Sequence, residues 1–292
     1  MALATYSITF FFCTFSFFAM AEQAAKRSRT SSIVFIWSHP RALSTALLRS
    51  LAELPNTTTV LEPFMIPWQA DIGFLNREKN PNPPSFEAIM DNIETGEYFT
   101  DASQHMQVIK DMPIHLPPEV FSALLVRFPR ARHIFLVRHP YRMIPSYFKA
   151  ISQDPQAEDY TKDVIQMDTT YKPLLDAAQS ISGSALLLEA ETLLADPRAS
   201  LTSLCSHIGV PFVESLLQWE PNDIPSSWRD LDAFEGWLDT VVSSKGWIVR
   251  PFDEDLTYPE LSDEFQKECI NINMPLYRQL LQSFVRPRDT DL

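Results

Sequence analysis

The chain has 292 residues, 45% of them hydrophobic, which suffices for one large α/β domain. Its formal net charge of −13 argues against a general nucleic-acid-binding surface, because such surfaces are basic, so an anion site must be locally basic. With 6 glycines against 23 prolines, and with no GxGxxG, GxxxxGKS or GxxxxGKT loop, glycine-rich nucleotide loops are nearly excluded. The three cysteines, Cys13, Cys205 and Cys269, indicate neither a disulfide framework nor a metal-ligand cluster, which is compatible with a reducing compartment.

Residues 1–30 are predicted to form an apolar leader with a basic linker, ahead of a single domain over residues 31–292. Residues 8–18 are dominated by phenylalanine, and residues 19–21 have the small-x-small form of a signal-peptidase site. No Lys or Arg precedes this run, and the first basic cluster follows it at residues 26–29. For an uncleaved anchor, this order of charge favours a cytoplasmic domain.

Two interpretations of the leader stay open. It is either a secretory or anchor segment, or the product of a start site placed too early, since Met20 would begin a chain with an ordinary soluble N-terminus. We expect a cytoplasmic domain that contacts a membrane only through residues 2–21, if these are retained. Delivery into the secretory pathway is the alternative.

The segment from Ser32 to Leu51 combines a buried strand, a tight loop and a helix. Five consecutive large apolar residues at 33–37 are typical of a parallel strand covered on both faces. From Leu43, leucines recur at helical spacing, and Ser44 and Thr45 lie in the first turn of the predicted helix. A helix N-terminus attracts anions, so Arg41 and these hydroxyls could form a phosphate cradle. An ordinary βα turn with a surface arginine is an equally good interpretation of this stretch alone.

A second, β-branched strand follows the turn at Pro55 and ends at Glu62, because Pro63 stops it. Ligands collect at the carboxyl ends of parallel strands, so Glu62 should share a crevice with the Arg41 loop. Residues 65–104 lack strong periodicity and are predicted to be a long excursion, with a substrate lid as the hypothesis for its role.

Three further strands are predicted, at residues 106–110, 130–138 and 185–188. Arg138 ends the second of these, and Ser146 follows eight residues later, so a turn that folds back would let both side chains face one phosphate. The alternative is that Arg138 pairs with an acidic neighbour. A helix over residues 197–208 then places Cys205 in the core. The predicted fold is an α/β three-layer sandwich around a mostly parallel sheet of about five strands.

These stretches, in this order, resemble the sulfotransferase family, whose members transfer a sulfuryl group from 3′-phosphoadenosine 5′-phosphosulfate (PAPS). Residues 39–48 are similar to the family loop that holds the 5′-phosphosulfate, and residues 135–147 to its 3′-phosphate motif. Residues 188–197 and 204–212 are similar to the strand and helix that follow these motifs in many members. Residues 217–221 and 243–247 resemble the C-terminal part of a mostly bacterial and fungal branch of the family.

The chain departs from the family pattern at three places. Leu43 stands where the family loop usually has glycine, which restricts backbone approach to the phosphate unless the turn avoids positive φ. Ala42 replaces a serine and removes a hydroxyl donor. The lysine-threonine-histidine triplet of the cytosolic branch is missing, and His115 lies three places too late, which favours Glu62 as the base because several non-cytosolic branches place a glutamate at that strand end.

The resemblance implies a P-loop-like sulfotransferase fold, PAPS as co-substrate, no metal and a small-molecule hydroxyl acceptor. It implies that Glu62 deprotonates the acceptor and that Arg41, with Ser44 and Thr45, stabilises the departing phosphate. Arg138 and Ser146 would hold the 3′-phosphate. Two rival functions stay open: a catalytically silent P-loop-like protein that binds a nucleotide or a partner, and a P-loop kinase or hydrolase, which would need a loop lysine and a strand-end aspartate for magnesium.

Overall fold

The structure is a computed structural model that describes residues 32–75, 78, 80–154, 160–181, 185–229, 234, 236–249 and 263–284. The predicted leader lies outside these ranges. Five strands form one parallel sheet in the order β2-β3-β1-β4-β5. The strands are β1 (Ser32–Ser38), β2 (Thr57–Leu61), β3 (Met106–Asp111), β4 (Arg132–Val137) and β5 (Ala185–Glu189).

Strand β1 lies in the middle of the sheet, and its side chains are buried on both faces. Phe35 and Trp37 belong to one hydrophobic cluster and Val34 and Ile36 to the other, because successive side chains of a strand point to opposite faces. A strand covered on both faces needs apolar residues at consecutive positions, which explains the unbroken apolar run.

Helices cover both faces of the sheet. The cluster that contains Ile36 is covered by α1 (Ser44–Leu51), α2 (Met65–Asp71), α8 (Ala190–Ala195) and α9 (Pro197–Ile208). The cluster that contains Phe35 is covered by α3 (Phe86–Thr95), α4 (Pro118–Arg127), α5 (Pro140–Ile151), α6 (Lys162–Thr169), α7 (Lys172–Ser180) and α11 (Glu264–Phe284). A short helix, α10 (Asp239–Val242), and 3₁₀ turns at Pro113–His115 and Glu214–Leu217 complete the described elements.

The predicted three-layer α/β sandwich with a parallel five-stranded sheet is confirmed. Of the helices in the described ranges, none has the length and apolar character needed to cross a bilayer.

Residues 65–104, predicted to be a long excursion with weak periodicity, contain the two helices α2 and α3, which the sequence analysis did not identify. Helix α3 begins where the Ser85 hydroxyl accepts a hydrogen bond from the Ala88 backbone N–H (3.1 Å), and it ends at Gly96 in the left-handed conformation. Ile89 and Ile93 lie on its buried face. Such a short apolar stripe between a proline-rich loop and a glycine is weak in the sequence, and packing against the core stabilises it.

The chain leaves two neighbouring strands in opposite directions at their carboxyl ends. After β1 it enters α1 on one face of the sheet, whereas after β4 it enters α5 on the other face. The diverging loops leave a crevice between them, and open parallel sheets bind ligands at this point. The Arg41 loop and the Arg138 loop therefore face each other across it.

Candidate active site

A cavity of about 590 Å³ lies at the carboxyl ends of the strands. Its lining includes all the site residues selected from the sequence, namely Arg41, Ser44, Thr45, Glu62, Arg138 and Ser146. These residues come from three different strand-to-helix loops, from the first turn of α1 and from α5. Only the parallel sheet, which brings the carboxyl ends of its strands to one edge, could gather them.

The loop between β1 and α1 contains two left-handed residues that are not glycine. Arg41 has φ 59° and Leu43 has φ 70°, and Leu43 is the residue that precedes the first turn of α1. The turn therefore has the positive φ that a family glycine would favour, with leucine at the position. No side chain caps the helix. Its first turn, with Ser44 and Thr45, lines the cavity, so its N-terminal N–H groups are available to an anion.

The guanidinium of Arg138 joins the loop after β4 to the loop after β1. Its Nη1 donates to the backbone carbonyl of Arg41 (2.9 Å), and its Nε donates to a Glu191 carboxylate oxygen at 3.3 Å. The pairing of Arg138 with an acidic neighbour, considered as the alternative in the sequence, thus exists alongside its position in the cavity wall. Glu191 also accepts a hydrogen bond from the backbone N–H of His139 at 3.4 Å.

Arg41 lies close to Ser146 and to an aromatic ring. Its Nε donates to the Ser146 hydroxyl at 3.3 Å, and its guanidinium carbon lies 5.8 Å from the centre of the Trp237 ring. Burial, followed by the positive charge of Arg138, lowers the pKa of the Arg41 guanidinium. Arg41 and Arg138 thus form a locally basic site in a protein whose net charge is acidic, as we expected for any anion site in this chain. A bound anion would relieve the repulsion between the two guanidinium groups.

Glu62 follows β2 in the left-handed conformation (φ 42°) and forms a buried ion pair with Lys110. The backbone N–H of Glu62 also donates to the carbonyl of Lys110 (2.7 Å), which continues the pairing of β2 with β3. The sequence analysis did not identify Lys110. The contact follows from the register of β2 on β3, which places Lys110 opposite Leu61 and therefore beside the next residue, Glu62. The sequence does not show this register.

A second carboxylate, which the sequence analysis missed, lies in the cavity wall. Asp168 on α6 accepts a hydrogen bond from the Tyr147 hydroxyl on α5, and both side chains line the cavity. Burial raises the pKa of Asp168, and burial together with the Asp168 charge raises the pKa of Tyr147. His115 also lines the cavity, with its Nδ1 2.6 Å from a carboxylate oxygen of Asp111.

A large part of the cavity wall is apolar and aromatic. It is contributed by α2 and the loop after it and by the C-terminal part of the chain, and its residues include Met65, Trp68, Ile72, Phe74, Phe234, Trp237 and Trp247. In the segment proposed as a lid, the described residues that reach the cavity belong to α2 and the loop after it. The cavity lining thus combines basic side chains, the Glu62–Lys110 ion pair and apolar side chains, and Arg41 contacts the aromatic part at Trp237.

A parallel α/β sheet with two basic loops at a topological switch point is an architecture suited to an anionic ligand. The model of the sulfotransferase domain family matches residues 32–278, and the chain belongs to this family.

Curated relatives and solved structures give more distant similarities. Two Arabidopsis thaliana proteins, branched-chain-amino-acid aminotransferase-like proteins 1 and 2, are each 24% identical, over 267 and 261 residues. The match covers 87% of this chain and 42% of the first protein, so the chain spans less than half the length of these relatives.

Among solved structures, a sulfotransferase domain from the curacin biosynthetic pathway is 18% identical with a TM-score of 0.49, covering 84% of this chain and 98% of that one. Mouse sulfotransferase SULT7A1 in complex with PAP is 13% identical with a TM-score of 0.49, covering 87% of this chain and 88% of that one.

Proposed function

We propose that the protein transfers the sulfuryl group of PAPS to a hydroxyl group of a small-molecule acceptor. The observation that carries the proposal is the single cavity in which two anion-binding loops, a carboxylate and an apolar wall meet. Its volume of about 590 Å³ lies within the range of small-molecule sites, roughly 300–1,000 Å³. A polyanionic glycan or an acidic peptide would also be repelled by the net charge of −13.

The donor set of the basic side fits a nucleotide with two phosphate-bearing ends. Arg41, Ser44, Thr45 and the first-turn N–H groups of α1 would bind the 5′-phosphosulfate. Arg138 and Ser146 would bind the 3′-phosphate. The hydrogen bond between Arg41 and Ser146 brings the two sets into contact, as one ligand spanning both loops requires.

Glu62 would accept the proton of the acceptor hydroxyl as the acceptor oxygen forms its bond to sulfur. The bond that breaks joins sulfur to the bridging oxygen of the 5′-phosphate, which leaves with the bonding electrons. Arg41 and the N-terminus of α1 stabilise the negative charge that develops there. The acceptor oxygen, the sulfur and the leaving oxygen must be in line, and the apolar wall with Trp68 and Trp237 would hold the acceptor in that position.

Lys110 gives this proton transfer a charge balance. Lys110 is the buried ion-pair partner of Glu62. Once Glu62 is protonated, the ammonium charge of Lys110 is no longer neutralised, at the moment when the departing phosphate becomes more negative. The Glu62–Lys110 pair thus changes from neutral to a net charge of +1 when Glu62 takes up the acceptor proton.

The rival functions make different demands on the same residues. A kinase would use a strand-end aspartate for magnesium, but the carboxylate of Asp111 accepts hydrogen bonds from the backbone N–H groups of Phe64 and Met112, each at 2.8 Å, and contacts His115. A silent nucleotide-binding protein is favoured by the absence of a hydroxyl at Ala42. It would bind nucleotide without turnover.

The test combines binding and turnover. Adenosine 3′,5′-bisphosphate, ATP, and ATP with Mg²⁺ are compared by thermal shift, and radiolabelled PAPS is then incubated with a panel of phenols and alcohols. The expected result is stabilisation by the bisphosphate without metal and label transfer to an uncharged acceptor. Selective stabilisation by ATP with Mg²⁺ would contradict the proposal, and bisphosphate binding without label transfer to any acceptor would support the silent protein.

A further inference from the structure

His39 is a buried residue that the mechanism does not use, and it contacts both anion-binding loops. Its Nε2 accepts a hydrogen bond from the backbone N–H of Arg138 (3.1 Å), and its Nδ1 lies 2.9 Å from the carbonyl oxygen of Pro40. Because Nε2 accepts, the ring proton is on Nδ1, which donates to Pro40. One imidazole therefore joins residues that precede Arg41 to the backbone of Arg138.

The surroundings of His39 keep this tautomer. The side chain is only 3% exposed, and burial, with the positive charges of Arg138 and Lys110, lowers its pKa to about 3, although the bond to Pro40 opposes this shift. At neutral pH the ring is uncharged and its Nε2 remains an acceptor. It is therefore suited to hold a backbone N–H and unsuited to bind phosphate as a cation.

Tyr171 holds the same loop from the other side. Its hydroxyl donates to the backbone carbonyl of Arg138, and its ring lies 4.3 Å from the His39 ring, centre to centre. The N–H and the carbonyl of Arg138 are thus each bonded to one of two side chains whose rings contact each other at an interplanar angle of 41°. Together with the bond from Arg138 Nη1 to the Arg41 carbonyl, these contacts fix the distance between the loops.

We infer that His39 and Tyr171 are positioning residues that set the spacing of the two anion-binding loops to the span of a nucleotide with 5′ and 3′ phosphates. This inference rests on the proposed function, because it names how that site selects a bisphosphate. It also accounts for the left-handed conformations of Arg41 and Leu43, because strained residues persist only where their surroundings hold them.

The test is a double-mutant cycle read by calorimetric affinity. His39→Phe keeps the ring and removes both hydrogen bonds, and Arg138→Ala removes the ligand contact. We expect His39→Phe to weaken binding of adenosine 3′,5′-bisphosphate by on the order of tenfold, and by far less in the Arg138→Ala background. Binding of adenosine 5′-phosphate, which lacks the 3′-phosphate, should change little. If His39→Phe lowers the bisphosphate affinity by the same factor with Arg138 and with Arg138→Ala, the inference is overturned.

Conservative and matched variants separate positioning from folding. His39→Gln, whose amide oxygen can take the place of Nε2, should restore much of the bisphosphate affinity. Tyr171→Phe should weaken binding of the bisphosphate, again by far less in the Arg138→Ala background. If His39→Phe does not fold, the Tyr171→Phe result decides the question.

His133 is the control, since it is also a buried histidine, its pKa is lowered to about 4, and its Nδ1 accepts a hydrogen bond from Trp37. His133→Phe should lower the melting temperature and leave bisphosphate affinity unchanged.

The outcomes distinguish the two proposals. A wild-type protein that does not bind the bisphosphate would overturn the proposed function itself. Wild-type binding with unchanged affinity in a folded His39→Phe protein, or with additive costs in the cycle, would overturn only the role of His39 and Tyr171.

Discussion

The ion pair between Glu62 and Lys110 makes two roles of Glu62 separable by mutation. As a base, Glu62 acts on the acceptor proton, so Glu62→Gln should lower turnover by roughly 10²- to 10⁴-fold and leave bisphosphate affinity nearly intact. As the buried partner of Lys110, its loss leaves a charge unpaired and should destabilise the fold by about 3–5 kcal/mol.

The double variant Glu62→Gln with Lys110→Met tells the two roles apart. Without a buried unpaired charge, it should be more stable than either single variant by chemical denaturation. Its turnover should remain low, because the proton acceptor is still missing. Recovery of turnover along with stability would show that Glu62 serves only as a structural partner.

Asp168 provides a pH-dependent prediction. Its folded-state pKa is raised above the ordinary 3.8 by burial, so the folded protein binds its proton more tightly than the unfolded chain does. The cost of the buried charge is absent below that ordinary value, grows between it and the elevated pKa, and is complete above the elevated pKa. Asp168→Asn keeps an acceptor for Tyr147 and removes the charge. It should therefore raise the melting temperature more at about pH 8 than at about pH 4, close to the ordinary pKa. An equal loss of stability at both pH values would contradict this assignment.

At the scale of the elements, the loop before α1 stores backbone strain at Leu43. A left-handed conformation costs a residue with a Cβ roughly 1–2 kcal/mol, whereas glycine adopts it readily. Leu43→Gly and Leu43→Ala lose nearly the same packing, but only the glycine relieves the strain. We expect the Gly variant to be more stable than the Ala variant by about 1 kcal/mol in urea unfolding. Equal stability would mean that the loop adopts another conformation in solution.

The order of elements was predictable because their signals are local. Buried parallel strands appear as apolar runs, and the candidate site residues follow the ends of those strands, as with Glu62 after β2 and Arg138 after β4. The partners of these residues were not predictable. Lys110 meets Glu62 only through the register of β2 on β3, and Tyr147 meets Asp168 through the packing of two helices. Helix α3 was missed because its apolar stripe is short.

At the scale of the whole molecule, the charge distribution favours a confined basic site on an acidic surface. The chain carries 37 acidic and 24 basic residues, and Arg41, Lys110 and Arg138 gather at one cavity. A polyanionic acceptor would meet repulsion everywhere except at the site of the nucleotide. The proposed small, uncharged acceptor meets no such barrier, because the wall that would receive it is aromatic.

The location of the domain can be tested through Asn56, the first residue of an Asn-Thr-Thr sequence in the turn before β2. Asn56 is exposed and left-handed (φ 57°), so its side chain is accessible for glycosylation in a secretory compartment. We propose a cytoplasmic domain and therefore expect an endoglycosidase to leave the mobility of the expressed protein unchanged. Asn56→Gln is the matched control, since it removes the acceptor without touching the strand. An endoglycosidase-sensitive form that disappears in Asn56→Gln would show that the domain enters the secretory pathway.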